Sequence, residues 1–279
     1  MTAFSTSSYH RVAGRELHVT EWGREHTEVV VAWHGLARTG RDMDDIAEHL
    51  ARRYRVICPD TIGRGLSQWS PDPDREYCLA FYTQLAEGLL DALGIHRVLW
   101  LGTSMGGAIG LRAAAGPLRG RIRKLVLNDI GPELPQAAQQ RILTYAGSPS
   151  AFATVSELEA YFRTIYKPYG WLSDAQWRRL TETSTRRLPD GRVTPHYDPA
   201  MVRQFVAHPN DYAQWDAWDS LDLPVLALRG ESSDLLLPEV AEAMRNRGPR
   251  AVVVTLPGCG HAPALNTPEH FALVERFFA

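Results

Sequence analysis

Residues 98–115 read VLWLGTSMGGAIGLRAAA, and the order of their parts decides the fold. Val98–Leu101 is a short apolar run of strand character. Gly102-Thr103-Ser104-Met105-Gly106 follows, and Met105–Ala115 has the composition of a helix that carries three glycines. A strand that turns through G-x-S-x-G directly into a helix is the setting in which this pentapeptide presents a nucleophile. The turn is sharp and the serine backbone is strained, so the positions on either side must lack bulk. The hydroxyl then stands at the C-terminal edge of a sheet, and the helix behind it directs its first N–H groups at the reacting centre. A capping serine on a glycine-rich helix has the same letters, but it lacks the partners identified below.

Working outward, strands and helices alternate on both sides of this stretch. Leu17–Trp22 and Glu28–Trp33 read as strands, Asp42–Arg53 as a helix, Tyr54–Cys58 as a strand and Leu79–Leu93 as a helix ended by Gly94. Downstream come a strand at Lys124–Asn128, another at Pro224–Arg229, a helix near Pro238–Arg247, a strand at Ala251–Leu256 and a last helix from Pro268. Such alternation predicts an α/β fold, a parallel sheet covered by helices on both faces. The pattern breaks between Pro132 and Ser220, where no clean apolar strand occurs and the chain is polar, aromatic and helical in character. The expected organisation is a core of residues 1–131 and 221–279, with residues 132–220 inserted between two strands of one sheet.

A serine hydroxyl needs an adjacent base at neutral pH. Of the ten histidines, His261 in Gly258-Cys259-Gly260-His261-Ala262-Pro263 combines a strand-end loop with flanking glycines. The imidazole in turn needs a carboxylate to fix its tautomer. Asp234, in the loop after Pro224–Arg229, gives the chain order Ser, Asp, His. Glu231 in the same loop and Asp129 at the end of Lys124–Asn128 are the alternative acids, since an acid at Asp129 reaches the same histidine from a neighbouring strand. Acyl transfer also requires N–H donors aimed at the developing oxyanion. Met105, next after the nucleophile, supplies one, and Leu36, in the loop His34-Gly35-Leu36, supplies the other. The His34 side chain is expected to brace that loop.

Bulk properties narrow the function classes. The chain has 279 residues, 44% of them hydrophobic, and a formal net charge of −2. No field of one sign exists to recruit nucleic acid or an anionic membrane. The apolar runs are too short to cross a bilayer, and the polar start Met1–Ser8 lacks the pattern of a secretory leader. Cys58, Cys78 and Cys259 are scattered and odd in number, which fits reduced thiols in a cytoplasm. No spacing points to a metal site, no cofactor is implied, and a small-molecule substrate is the expected partner, with monomer and homodimer both open.

Four motifs, in order, carry a resemblance to the α/β-hydrolase superfamily over nearly the whole chain. They are His34-Gly35 after an early strand, Pro59-Asp60-Thr61-Ile62-Gly63-Arg64-Gly65-Leu66-Ser67, the Ser104 turn, and Gly260-His261. The resemblance implies an eight-stranded, mostly parallel sheet, a structural role for the second motif, and a helical cap in Pro132–Ser220 that shapes substrate choice. Serine at the elbow sets the chain apart from relatives that use aspartate there. Leu36-Ala37-Arg38 and Ala262 differ from the usual pattern of the C–C hydrolases. A serine esterase acting on a small or medium carboxylic ester is the expected activity, an acidic tail such as that of a hydroxyacid oligomer being one form. C–C bond or lactone hydrolysis, cofactor-free oxygenation and a non-catalytic ligand receptor remain the alternatives on this fold. Arg38, facing a substrate carboxylate, and Trp171, among the aromatic residues of the insertion, are the candidate substrate contacts.

Overall fold

The computed structural model describes residues 4–279. Its strands, in chain order, are β1 (Ser5–Val12), β2 (Arg15–Trp22), β3 (Val29–Trp33), β4 (Arg55–Pro59), β5 (Val98–Thr103), β6 (Ile122–Asn128), β7 (Thr185–Arg187), β8 (Val193–Pro195), β9 (Val225–Gly230) and β10 (Val252–Leu256). Eight of them form one sheet in the order β1-β2-β4-β3-β5-β6-β9-β10. The β1–β2 hairpin and the β2–β4 pair are antiparallel and every other pairing in it is parallel. The eight-stranded, mostly parallel sheet implied by the resemblance is therefore found.

β1 is an addition to the sequence reading. Its residues STSSYHRV are mostly exposed, as befits an edge strand, so no apolar alternation marks it. Ala13 and Gly14, both at positive φ, close the hairpin to β2. The inner strands β3 (VVVAW) and β9 (VLALRG) are buried along their whole length, because both faces of the sheet are covered.

The helices are α1 (Asp44–Leu50), α2 (Pro73–Glu76), α3 (Leu79–Ala92), α4 (Met105–Ala115), α5 (Gln136–Ala146), α6 (Val155–Ile165), α7 (Asp174–Glu182), α8 (Gln204–Ala207), α9 (Trp215–Asp219), α10 (Pro238–Asn246) and α11 (Pro268–Phe278). The stretch expected to be helical from Asp42 begins instead as a 3₁₀ turn, Gly40–Met43, and becomes α1 at Asp44. One apolar layer joins Trp33, Trp100 and Leu127 of the sheet to Leu85, Leu89 and Ile109 of α3 and α4. Trp33 and Trp100 stack at 5.4 Å between ring centroids. The opposite layer joins Val30, Val56 and Leu101 to Ile46 and Leu50 of α1 and to Val274 and Phe278 of α11.

The chain between β6 and β9 carries five of the helices and the small β7–β8 sheet. Its first part has an apolar cluster of its own, built from Leu158, Phe162, Tyr166, Trp177, Leu180 and Val193. β7 and β8 are three residues each, too short for any apolar period to reveal them.

Strand order positions the site. From β3 the chain moves outward to β4, then crosses back to β5 on the other side. The loops after β3 and β5 diverge there and open a crevice at the carboxyl edge of the sheet, the usual place for a ligand in such folds.

Candidate active site

Ser104 sits on that crevice with φ 51° and ψ −119°, a conformation that L residues avoid. The elbow holds it there from both sides. Its N–H donates to the Asn128 carbonyl at 2.9 Å, and its own carbonyl accepts from Gly107 and Ala108. A Cβ at Gly106 would lie 2.2 Å from the Trp33 carbonyl oxygen, and one at Gly102 would lie 2.3 Å from backbone atoms of Gly106 and Gly107. Both glycines are required because helix α4 starts in backbone contact with the two strands beside it.

The loop after β10 brings in His261. Its Nδ1 donates to Oδ2 of Asp129 at 2.7 Å, which leaves Nε2 as the nitrogen available for proton transfer. Asp129 is fully buried and is itself held: the Gly230 N–H donates to Oδ1 at 2.7 Å and Ser233 Oγ donates to Oδ2 at 2.6 Å. The structure thus pairs His261 with Asp129 and corrects the choice of Asp234. Asp234 is 55% exposed and forms an ion pair with Arg141 of α5 at 2.8 Å. The preceding residue, Ser233, is the one that turns inward, where its hydroxyl also accepts from the N–H groups of Leu235 and Leu236. That local turn directs the next side chain outward. Glu231 is likewise exposed and accepts from the Gly258 N–H. Asp129 prevails because β6 lies between β5, which carries Ser104, and β9. The adjacent Asn128 reinforces the arrangement by donating to the Pro263 carbonyl, two residues past the histidine.

Ser104 and His261 line one cavity of about 270 Å³. Among the described residues no hydrogen bond joins Ser104 Oγ to His261 Nε2; in unliganded enzymes such contacts are often long and tighten when substrate binds. The same cavity is lined by Leu36. The N–H groups of Leu36 and Met105 have no backbone partner among the described residues, so both are free to donate.

Two buried side chains fix the Leu36 loop. His34 Nδ1 donates to the Gly35 carbonyl and Nε2 accepts from the Thr61 N–H at 2.9 Å. Burial lowers its pKa to about 4, so it stays neutral and acts as a brace. Arg64, fully buried, was not singled out by sequence reasoning. Its Nε donates to the Leu36 carbonyl at 2.8 Å and its Nη2 lies 3.6 Å from the Met105 sulfur, so one guanidinium touches the residues of both free N–H groups. Tyr77 and Tyr82 pack on it at 5.4 and 5.3 Å from the ring centroids. A cation between two loop glycines, Gly63 and Gly65, was the available signal. The rest of that motif is structural. Asp60 accepts from the N–H groups of Gly40 and Leu66 and from His18 Nδ1. Burial opposes its ionisation, but these donors, with His18 foremost, hold its carboxyl below the usual range.

Arg38 lines the cavity and is 3% exposed, so its pairing with Asp42 is a buried one and not a surface salt bridge. Burial works against its charge and Asp42 overrides that, so it remains a cation. Trp171 does not reach the cavity. It is 75% exposed, beyond a turn at Gly170 with φ 94°, and contributes its carbonyl to Asn266. Its expected role as a substrate contact is corrected accordingly. No group of three or more His, Cys, Asp or Glu that could hold a metal ion occurs among the described residues.

Comparison with known proteins agrees with this fold. The sequence profile described as alpha/beta hydrolase fold matches residues 28–268. A 3-hydroxybutyrate-oligomer hydrolase of Cupriavidus necator is 38% identical over 284 aligned positions, spanning 98% of this chain and 94% of that protein. The crystal structure of an alpha/beta hydrolase from Novosphingobium aromaticivorans superposes with a TM-score of 0.86 at 34% identity, covering 99% of both chains.

Proposed function

The chain belongs to the alpha/beta hydrolase fold family, and we propose that it cleaves carboxylic esters through an acyl-enzyme on Ser104. The observation that carries this reading is the His261–Asp129 hydrogen bond on the cavity that Ser104 lines. In the proposed reaction Nε2 of His261 takes the Ser104 proton as Oγ bonds to the ester carbonyl carbon. Leu36 and Met105 N–H groups stabilise the oxyanion, and Arg64 and His34 hold the Leu36 loop in position to do so. The tetrahedral intermediate collapses, the ester C–O bond breaks, and the leaving alkoxide takes the proton from His261. Water, deprotonated by the same imidazole, then attacks the acyl group and frees Ser104. Asp129 holds the imidazole in this tautomer and stabilises the imidazolium.

Residues 132–220 act in this proposal as a cap over the crevice, since Ile142, Tyr145, Ile165, Tyr166 and Tyr169 line the cavity from that segment. The Cupriavidus relative extends the proposed substrates to short hydroxyacid oligoesters. A chromogenic short-chain ester should give a burst of alcohol equal to the enzyme concentration. Ser104→Ala should lower kcat by roughly 10⁴–10⁶. Wild-type turnover in Ser104→Ala would end this reading.

A further inference from the structure

We propose that Arg38 is the anchor for a free carboxylate on the leaving-group side of the scissile ester, so that a hydroxyacid oligomer is shortened one unit at a time from its carboxyl end. This rests on the ester-hydrolase reading and deepens it. The guanidinium is held on all sides but one. Asp42 takes Nε at 2.6 Å and Nη2 at 2.7 Å, Ser184 Oγ accepts from Nη2 at 2.8 Å, and the Tyr166 and Phe162 rings lie 4.6 and 5.5 Å from its central carbon. Nη1 is buried and has no hydrogen-bond partner. An unpaired buried donor on a cation is costly, and the arginine that carries it lines the reaction cavity. A carboxylate is the acceptor that matches it in charge and geometry.

Position supports the assignment. A Cβ built at Gly35 would lie 3.6 Å from the Ser104 Cβ and 4.0 Å from the Arg38 Cγ, so the nucleophile and the stem of the arginine flank the same glycine on one cavity. A second small chamber of about 50 Å³ shares Arg38, Thr103 and Tyr169 with the reaction cavity, and its walls mix the charged Arg41, Asp42 and Arg179 with apolar side chains such as Met43, Leu172 and Leu180. That volume suits a compact group and no long chain.

The chemistry of an oligoester then sets direction. Every ester bond joins an acyl unit toward the hydroxyl end to an alkoxy unit toward the carboxyl end. The free carboxylate therefore always belongs to the leaving group. In a 3-hydroxyacid it stands two carbons beyond the carbon bearing the ester oxygen when the last bond is cut. The terminal unit is the one that keeps it short enough to meet a residue of the cavity that Ser104 lines. The Ser104–acyl bond forms, the C–O bond to that unit breaks, its alkoxide takes the His261 proton, and one free hydroxyacid leaves.

The test compares a linear 3-hydroxybutyrate trimer as free acid with its methyl ester. Wild-type kcat/KM should favour the free acid by about 10- to 100-fold, mainly through KM, the range for one charge-assisted hydrogen bond. Mass spectrometry of early products should show monomer and dimer, with a label placed in the carboxyl-terminal unit found in the monomer. Arg38→Gln should reduce the preference to near unity and Arg38→Lys should restore part of it. Calorimetry on Ser104→Ala with the same two compounds reads binding without turnover. Equal handling of both forms by the wild type, or equal binding by Ser104→Ala, overturns the anchor while leaving ester hydrolysis intact. Preferential binding of the acid with no turnover of either form upholds the anchor and removes the ester-hydrolase reading instead.

Discussion

His34 couples the loop that carries one proposed oxyanion donor to the response of the fold to acid. An unfolded histidine takes a proton near pH 6.5, whereas burial delays that event in the folded protein to about pH 4. Between these values the unfolded chain binds more protons, so stability is complete above about 6.5 and falls as the pH drops towards 4. The shift corresponds to about 3 kcal/mol. Urea unfolding at pH 7 and pH 4.5 should show this loss in the wild type, and His34→Gln should remove most of it. An unchanged pH dependence in the variant would assign the acid response elsewhere. Ser104 and His261 are legible in the sequence because each lies in a short motif with a local cause, a tight bend or a glycine-flanked loop. Asp129 is harder to rank. Three carboxylates follow strands, and the spacing along the chain does not say that Ser233 turns inward or that Asp234 reaches Arg141. The exposure of Trp171 is equally non-local, set by the backbone turn at Gly170.

The β5–elbow–α4 unit carries its reason for being in its letters. Gly106 is there because the Trp33 carbonyl occupies the place of a side chain, so a rigid backbone atom has to yield to any Cβ. Gly106→Ala should destabilise the protein by about 3 kcal/mol or more, measured as the shift in the urea midpoint. Gly120→Ala is the comparison: φ there is 74° but nothing lies within 4 Å, so only the backbone cost of about 1 kcal/mol should appear. Equal losses at the two positions would mean that close approach is not what Gly106 serves. The longer strands and helices of the core are readable to within a few residues from their apolar runs, whereas α5, α6 and α7, each with only two or three buried residues, are legible only as a stretch of helical character. β1 escaped because it is an exposed edge, and β7 and β8 because three residues make no period.

At the scale of the whole molecule, the sheet order brings the loops after β3, β5, β6 and β10 to one crevice, and the chain between β6 and β9 packs over it. That segment also grips the histidine loop, since the Gly260 and Ala264 N–H groups donate to the carbonyls of Pro168 and Tyr169 at 2.7 and 3.0 Å. Alternation of strands and helices made the layers legible, but not this packing or which carboxylate lies nearest the imidazole. Both depend on strands far apart in the chain becoming neighbours. The rate at which a fluorophosphonate labels Ser104, followed by mass spectrometry, tests the proposed triad most directly. Asp234→Asn should label at the wild-type rate, and Asp129→Asn, which keeps the volume but loses the charge, should label roughly 10³–10⁴-fold more slowly. Fast labelling in Asp129→Asn with slow labelling in Asp234→Asn, or a label on any residue other than Ser104, would contradict it.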